Sequence, residues 1–266
     1  MKNNLLKIIT GLGLFILVLS GCSTNSTEED SYDSILENGT IVMGLDDTFA
    51  PMGYRDSNDE IVGFDIDLAN EVGERMGVEF KFQTIDWALK ETELNAGNID
   101  VIWNGYTITE ERKEKVLFSS PYLNNSQLII VLEDSPINSK ADLKDKTVAA
   151  QQSSSAVDAV MADDSDIIKT FNNGEIVQYP SNNDVFNDLA SGRSDAIVVD
   201  ETMGRYYMQQ NKDMDYRVLD DNFGNEEYAV GLRKSDVKLK QAIDENLADL
   251  KKDGTYDKIY DKWFAE

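Results

Sequence analysis

Histidine is absent from this 266-residue chain, and cysteine occurs once. Without an imidazole the chain has neither the commonest general base nor the commonest metal ligand. Ser-His-Asp and Cys-His catalysis are therefore excluded, and a single thiol rules out an intrachain disulfide or a cysteine-built zinc site. Carboxylate-based catalysis stays open, because acids are plentiful. Positive charge is scarce: 25 Lys and Arg stand against 50 Asp and Glu, a formal net charge of −25. So acidic a protein does not offer the basic patch that phosphate backbones require, which argues against nucleic acid as a partner. The charge serves to keep the protein soluble and repelled from anionic surfaces, or to draw in cationic solutes. Long apolar runs are missing too. Ile8 to Leu19 is apolar but too short for a comfortable membrane span.

That run has its own meaning. Lys2 and Lys7 precede it as a positive head, and Leu19-Ser20-Gly21-Cys22 follows it. Residues 1–21 read as a signal peptide. The tetrapeptide resembles a bacterial lipobox, in which the cysteine carries lipid and becomes the first residue of the mature protein. Small residues before the cut admit a peptidase, and the thiol is the nucleophile that accepts the lipid. The alternative is a plain secretory signal with an incidental cysteine. Two acyl chains anchor stably where one is marginal. Residues 22–31 then read as a lipidated, flexible tether, polar and acidic without apolar periodicity.

From there the chain alternates short β-rich runs with helical patterns. Ile41–Leu45, Val78–Phe82, Ile99–Trp103, Leu128–Leu132, Thr147–Ala150 and Ala196–Val199 are the strand candidates. Ile66, Ala69, Val72, Gly73 and Met76 mark one helix face; Leu239, Ile243, Leu247 and Leu250 mark another, closed by Gly254. The alternation predicts an α/β protein with mostly parallel sheets. Composition shows no domain cut inside it.

Asp100 to Tyr122, DVIWNGYTITEERKEKVLFSSPY, carries the most chemistry. An apolar strand runs into a small-residue turn (Asn104, Gly105), a hydroxyl pair (Thr107, Thr109) and a helix start. Thr109 suits the N-cap, and Glu110 and Glu111 suit the first turn. Arg112 does not, since the helix dipole disfavours a cation there. Either it is an exposed arginine on a charged helix, or its planar fork sits beside free N–H groups and hydroxyls as a pocket for a carboxylate.

The stretch resembles the signature of the substrate-binding lipoproteins that feed polar amino acids to ABC importers, solute-binding protein family 3, the group of the histidine- and glutamine-binding proteins. GLDDTFAPM, VGFDIDLANEVGERMG, VAAQQSSS, SGRSDAIVVDE, YAVGLRKSD and DGTYDKIYDKWF follow the family's order, so that the resemblance covers about Thr40 to Phe264. It implies a two-lobed fold of the type II periplasmic-binding-protein kind, with two hinge crossings near Asn124–Leu128 and Glu227–Gly231. Lobe 1 is then 32–124 plus 231–266, and lobe 2 is 127–226, with the ligand between them at the carboxyl ends of the strands.

A free amino acid needs a partner for its carboxylate, its ammonium and its side chain. For the carboxylate the resemblance implies Arg112, the Thr107 hydroxyl and N–H, and Ser154 and Ser155, whose run otherwise reads as helix capping. For the ammonium it implies Asp200, with the Gly105 carbonyl beside it. Phe49 and Trp87, which without the resemblance read as core, become side-chain walls, while Trp103 stays core. Asp46 and Gln151 match positions that reach the ligand's far end. An acid at position 46 suits an amide, guanidinium, ammonium or imidazolium and repels a second carboxylate. Glutamine, a basic amino acid and cystine all fit. The chain departs from the histidine-binding type at Asn104 and Gly105, where that type has two serines, and at Val199, where some glutamine-binding relatives have a histidine.

The expected protein is thus a monomer anchored by lipid on the extracytoplasmic face of the cell membrane. It captures a polar L-amino acid for an ABC permease and uses no cofactor, metal or catalytic residue. An enzyme on the same scaffold, of the cyclohexadienyl dehydratase kind, is the main alternative; but the Asp200 type of acid is what free amino acids require. A sensor module is a third, and it needs a membrane helix and an output domain.

Overall fold

The computed structural model describes residues 29–265. The signal peptide, Cys22 and the tether as far as residue 28 lie outside the described residues. Two five-stranded mixed sheets, each covered by helices, make a two-lobed α/β fold. The first sheet has the order β5-β1-β6-β13-β7, with β1 Thr40–Leu45, β5 Glu79–Thr84, β6 Val101–Ile102, β7 Leu117–Phe118 and β13 Gly231–Leu232. A small sheet of β2 Thr48–Phe49, β3 Gly53–Arg55 and β4 Ile61–Val62 follows β1. The second large sheet has the order β10-β9-β11-β8-β12, with β8 Leu123–Leu132, β9 Val148–Gln151, β10 Val177–Tyr179, β11 Ala196–Asp200 and β12 Tyr216–Tyr228.

The expectation of mostly parallel sheets needs correcting. In the first sheet β1 pairs parallel with β5 and β6, but β13 pairs antiparallel with β6 and β7. In the second, β9 pairs parallel with β10 and β11, but β8 pairs antiparallel with β11 and β12. The cause is the chain's double passage between the sheets. It leaves the first sheet after β7, enters the second as β8, and returns from β12 to β13. The returning strands must run against those that left.

The helix faces read from the sequence are buried as their periodicity requires. Helix α2, Phe64–Met76, buries Ile66, Ala69, Val72 and Gly73 and leaves Met76, at its end, half-buried; Gly77 caps it in the left-handed region. Helix α8, Val237–Asp253, buries Leu239, Ile243, Leu247 and Leu250 and ends at Gly254 with φ 81°. Burying four such side chains contributes roughly 1.5–3 kcal/mol each. The stretch read as a tether also stops earlier than residue 31. The Ser31 N–H donates to Asp236, the Lys238 N–H donates to Asp30, and helix α1, Tyr32–Asn38, begins at once. Those two hydrogen bonds fasten the start of the described chain to α8.

Candidate functional site

Strand ends and the loops after them supply the site. Asp46 follows β1, and its backbone N–H donates to Asn104 Oδ1 in the loop after β6. The Gly105 N–H donates to Asp65 Oδ2 at 2.8 Å, and Tyr122 Oη donates to the same oxygen at 2.9 Å. Asp65 is fully buried in α2, and burial pushes its carboxyl up to about 7. Gly105 has φ 58°, and a Cβ there would lie 2.7 Å from the Phe49 ring and 3.1 Å from the Tyr228 ring. No other residue fits that turn without moving an aromatic wall.

Arg112 sits where the spacing placed it, third in the helix α4, Glu110–Lys115, with Thr109 Oγ1 accepting its N–H. It is not an exposed surface arginine: it is 4% exposed. Its guanidinium carbon lies 4.7 Å from the centre of the Tyr106 ring, a desolvated cation–π contact. One terminal nitrogen donates to the Thr107 carbonyl at 3.0 Å, the other to the Ser153 carbonyl at 3.4 Å. Of the five N–H groups a guanidinium carries, three remain. A six-residue helix adds little dipole, so the electrostatics here are those of the guanidinium.

The second sheet contributes from the opposite side. Gln151 ends β9, and its Nε2 donates to Asp46 Oδ2 at 2.7 Å and to the Pro180 carbonyl at 3.0 Å. Ser153 has φ 54°, which turns its carbonyl toward Arg112 and toward Lys90 Nζ at 3.0 Å. Ser154 caps helix α5, Ser155–Met161, and its hydroxyl donates to the Gln151 carbonyl. Asp200 ends β11. Its Oδ1 accepts from Asn125, Gln127 and Tyr228 at 2.6, 3.0 and 2.8 Å. Among the described residues no hydrogen bond reaches its Oδ2. Burial, then the Glu226 carboxylate, push Asp200 up to about 7. Asp46 is also raised by burial, against the hydrogen bonds it accepts from Thr48 and Gln151.

Nine of the ten residues read from the sequence line one cavity: Asp46, Phe49, Trp87, Gly105, Arg112, Gln151, Ser154, Ser155 and Asp200, joined by Asn104. Thr107, the tenth, lies just behind it, with its hydroxyl 3.1 Å from that of Ser155 and 3.0 Å from Glu226 Oε2. The free space is about 10 Å³, room for about one water. The two sides therefore meet directly, through Asp46–Gln151, Thr107–Ser155 and Lys90–Ser153.

Asn104, Asp65, Lys90, Gln127 and Glu226 were not selected by sequence reasoning. Lys90 is 2% exposed; its Nζ donates to the Trp87 carbonyl and to Ser153 across the cleft. Burial, then Arg112, lower it to about 8. A signal existed for Gln127, a polar residue opening the apolar run LIIVL, and for Asp65 inside VGFDIDLA. Among the described residues no group of ligating side chains could hold a metal ion, and no helix is long and apolar enough to cross a membrane.

Two mixed-sheet lobes gripping one polar cavity between strand ends define a solute-binding protein. Residues 41–266 match the bacterial extracellular solute-binding proteins, family 3, and the chain belongs to that family. It is 33% identical over 256 residues to the lysine/arginine/ornithine-binding periplasmic protein of Escherichia coli (strain K12), covering 94% of this chain and 96% of that protein. The ABC uptake transporter substrate-binding protein of Streptococcus pneumoniae, solved with bound histidine, superposes with a TM-score of 0.86 at 38% identity, over 89% of this chain and 97% of that one. An ancestral arginine-binding protein bound to arginine gives a TM-score of 0.79 at 38% identity, over 85% and 99%. All three carry the names of binding proteins, and this chain is a solute-binding protein of that family.

Proposed function

We propose that the protein captures an L-amino acid with a cationic side chain in this cavity and delivers it to an ABC permease. The observation that carries the reading is the charge arrangement. Arg112 faces the cavity from one side and Asp200, with its open Oδ2, from the other. An α-carboxylate on Arg112 and an α-ammonium on Asp200 leave Asp46 as a third buried charge without a countercharge, and such a group is costly. A guanidinium, ammonium or imidazolium at the end of the side chain supplies that countercharge. Phe49 and Trp87 wall its aliphatic or aromatic body. The ligands named for the three relatives above, lysine, arginine, ornithine and histidine, belong to this class.

In this reading 32–124 plus 231–266 form the lobe carrying Asp46, Arg112 and Thr107, and 127–226 form the lobe carrying Gln151, Ser155 and Asp200. The ligand takes over the bond that Gln151 makes to Asp46 across the cleft, so it bridges the lobes in its place.

Asp46→Asn tests the side-chain assignment. Arginine affinity by calorimetry is expected to fall at least about tenfold, since a buried ion pair loses one charge, while glutamine affinity changes by less than about threefold. Equal losses for both ligands refute the role given to Asp46.

The anchor is a separate proposal: Cys22 carries the lipid that holds the protein on the outer face of the cell membrane. Cys22→Ser is expected to move the protein from the membrane pellet to the soluble fraction with unchanged affinity. A variant still processed and pelleted like the parent sinks the lipobox.

A further inference from the structure

Behind Asp200 stands a second carboxylate. Glu226 lies on β12 as that strand runs back toward the first sheet, opposite Asn125 on β8. Its Oε2 accepts from Thr107 Oγ1 at 3.0 Å, from Gln127 Nε2 at 2.9 Å and from Asn125 Nδ2 at 3.3 Å. The same Gln127 nitrogen reaches Asp200 Oδ1 at 3.0 Å and Ser155 Oγ at 3.1 Å, and Asn125 serves both acids. The two carboxylates therefore share both of their amide donors.

Proton direction follows. An ionised carboxylate only accepts, so the Thr107 hydroxyl donates to Glu226. The hydroxyl bond between Thr107 and Ser155 must then run from Ser155 to Thr107, while the two Gln127 N–H groups are shared among Ser155 Oγ, Asp200 Oδ1 and Glu226 Oε2. Neither hydroxyl has a proton left for the cavity. The carboxylate role first given to the Thr107 hydroxyl does not match this arrangement. What remains there is acceptor oxygen, which suits an ammonium. The other groups facing Asp200 are Tyr228 and Arg112; its neighbour Glu201 turns away to Ser126 and Arg205.

We propose that Glu226 is the second acid of the α-ammonium subsite, a positioning residue that adds negative charge behind Asp200 and sets the direction of the Thr107 and Ser155 hydroxyls. The proposal rests on the amino-acid reading of the site. Two acids around one ammonium favour a full positive charge in the site over a neutral amine or hydroxyl. They also repel each other until the ammonium arrives, which is why the Glu226 carboxylate raises Asp200. Ligand binding then has to expel a proton near neutrality. Glu226 also borders an open groove with Lys113, Glu201 and Glu227, a route by which that proton reaches water.

The test is calorimetry of L-arginine and L-glutamine, neither of which titrates its side chain near pH 7, on the full chain and on Glu226→Gln. Wild-type binding at pH 6.5, measured in two buffers of different ionisation enthalpy, is expected to release roughly three-quarters of a proton. At pH 8, where Asp200 is ionised in both proteins, Glu226→Gln is expected to bind about tenfold more weakly. At pH 6, about one unit below the Asp200 value, only about a tenth of wild-type Asp200 is ionised. The variant keeps the burial that raises Asp200 but has lost the Glu226 charge that adds to it, so the gap is expected to narrow. A wild type that releases no proton overturns the proposal, whether or not the variant folds. So does a variant with wild-type affinity, or one weakened equally at both pH values. A wild type that binds no amino acid at all overturns the reading of the site beneath it.

Discussion

Replacing Arg112 with alanine is expected to abolish amino-acid binding while leaving the protein folded. The guanidinium is the one strong donor array in the cavity, held over Tyr106 and fixed at two of its N–H groups by the carbonyls of Thr107 and Ser153. It pays no reorganisation at the moment of binding. Truncating one partner of a buried, hydrogen-bonded charge pair costs on the order of 2–5 kcal/mol, and at the upper end this is more than a thousandfold in affinity. The loss should appear in calorimetry for every amino acid tested, because all share the carboxylate. Arg112→Lys should bind poorly as well, since an ammonium cannot form the fork and cannot span the two carbonyls. Removing a buried cation that stacks on Tyr106 relieves desolvation as well as losing contacts, so the unfolding temperature should move by a few degrees only. Near wild-type affinity for Arg112→Ala removes the carboxylate assignment.

The second large effect is expected at the other end of the same ligand. Asp200→Asn keeps the shape of the side chain, turns one carboxylate oxygen into an NH₂ group and removes the negative charge. Amino acids should weaken by about a hundredfold, within the range for a buried charge pair losing one member. The matching α-hydroxy acids have no ammonium and should change by a few-fold at most. Burial and Glu226 place Asp200 at about 7, so the sign of the pH effect follows. Protonation of Asp200 below that value removes the anion the ammonium needs, and wild-type affinity should fall as pH drops from 8 to 5. In Asp200→Asn that fall should flatten. Equal losses for amino and hydroxy acids, or an unchanged pH profile, show that another group holds the ammonium.

Much of this site was legible because its residues sit at chain positions that local rules fix. Thr109 caps α4 and places Arg112; Gly105 makes a turn in which a Cβ would meet the Phe49 ring; Asp200 closes an apolar run. The apolar strands were legible for a similar reason, since β9 and β11 are buried on both faces. The longest strand was not. β12 carries Asp220, Asp221, Asn222, Asn225, Glu226 and Glu227 in its middle, reads as a loop, and becomes a strand only because β8 offers it a ladder across the gap between the lobes. Ile99–Trp103 shortened to Val101–Ile102 because Asp100 bonds the Val42 N–H with its side chain and its own N–H bonds the Val42 carbonyl. The polar residues missed around the cavity share one cause. Lys90, Gln127 and Glu226 find partners 28 to 119 positions away only after folding, as Gln127–Ser155, Lys90–Ser153 and Thr107–Glu226 show. A local pattern carries no trace of such pairs.

The measurement that bears most directly on the central claim is a thermal-shift panel of the twenty amino acids and cystine on the purified chain. A ligand present at a hundred times its dissociation constant adds about 2.7 kcal/mol of stability, which for a protein of this size raises the unfolding temperature by several degrees. The account predicts the largest shifts for arginine, lysine or histidine, smaller ones for glutamine, and none for glutamate or aspartate, whose second carboxylate would face Asp46. A largest shift with glutamate or aspartate, or no shift with any amino acid, contradicts it.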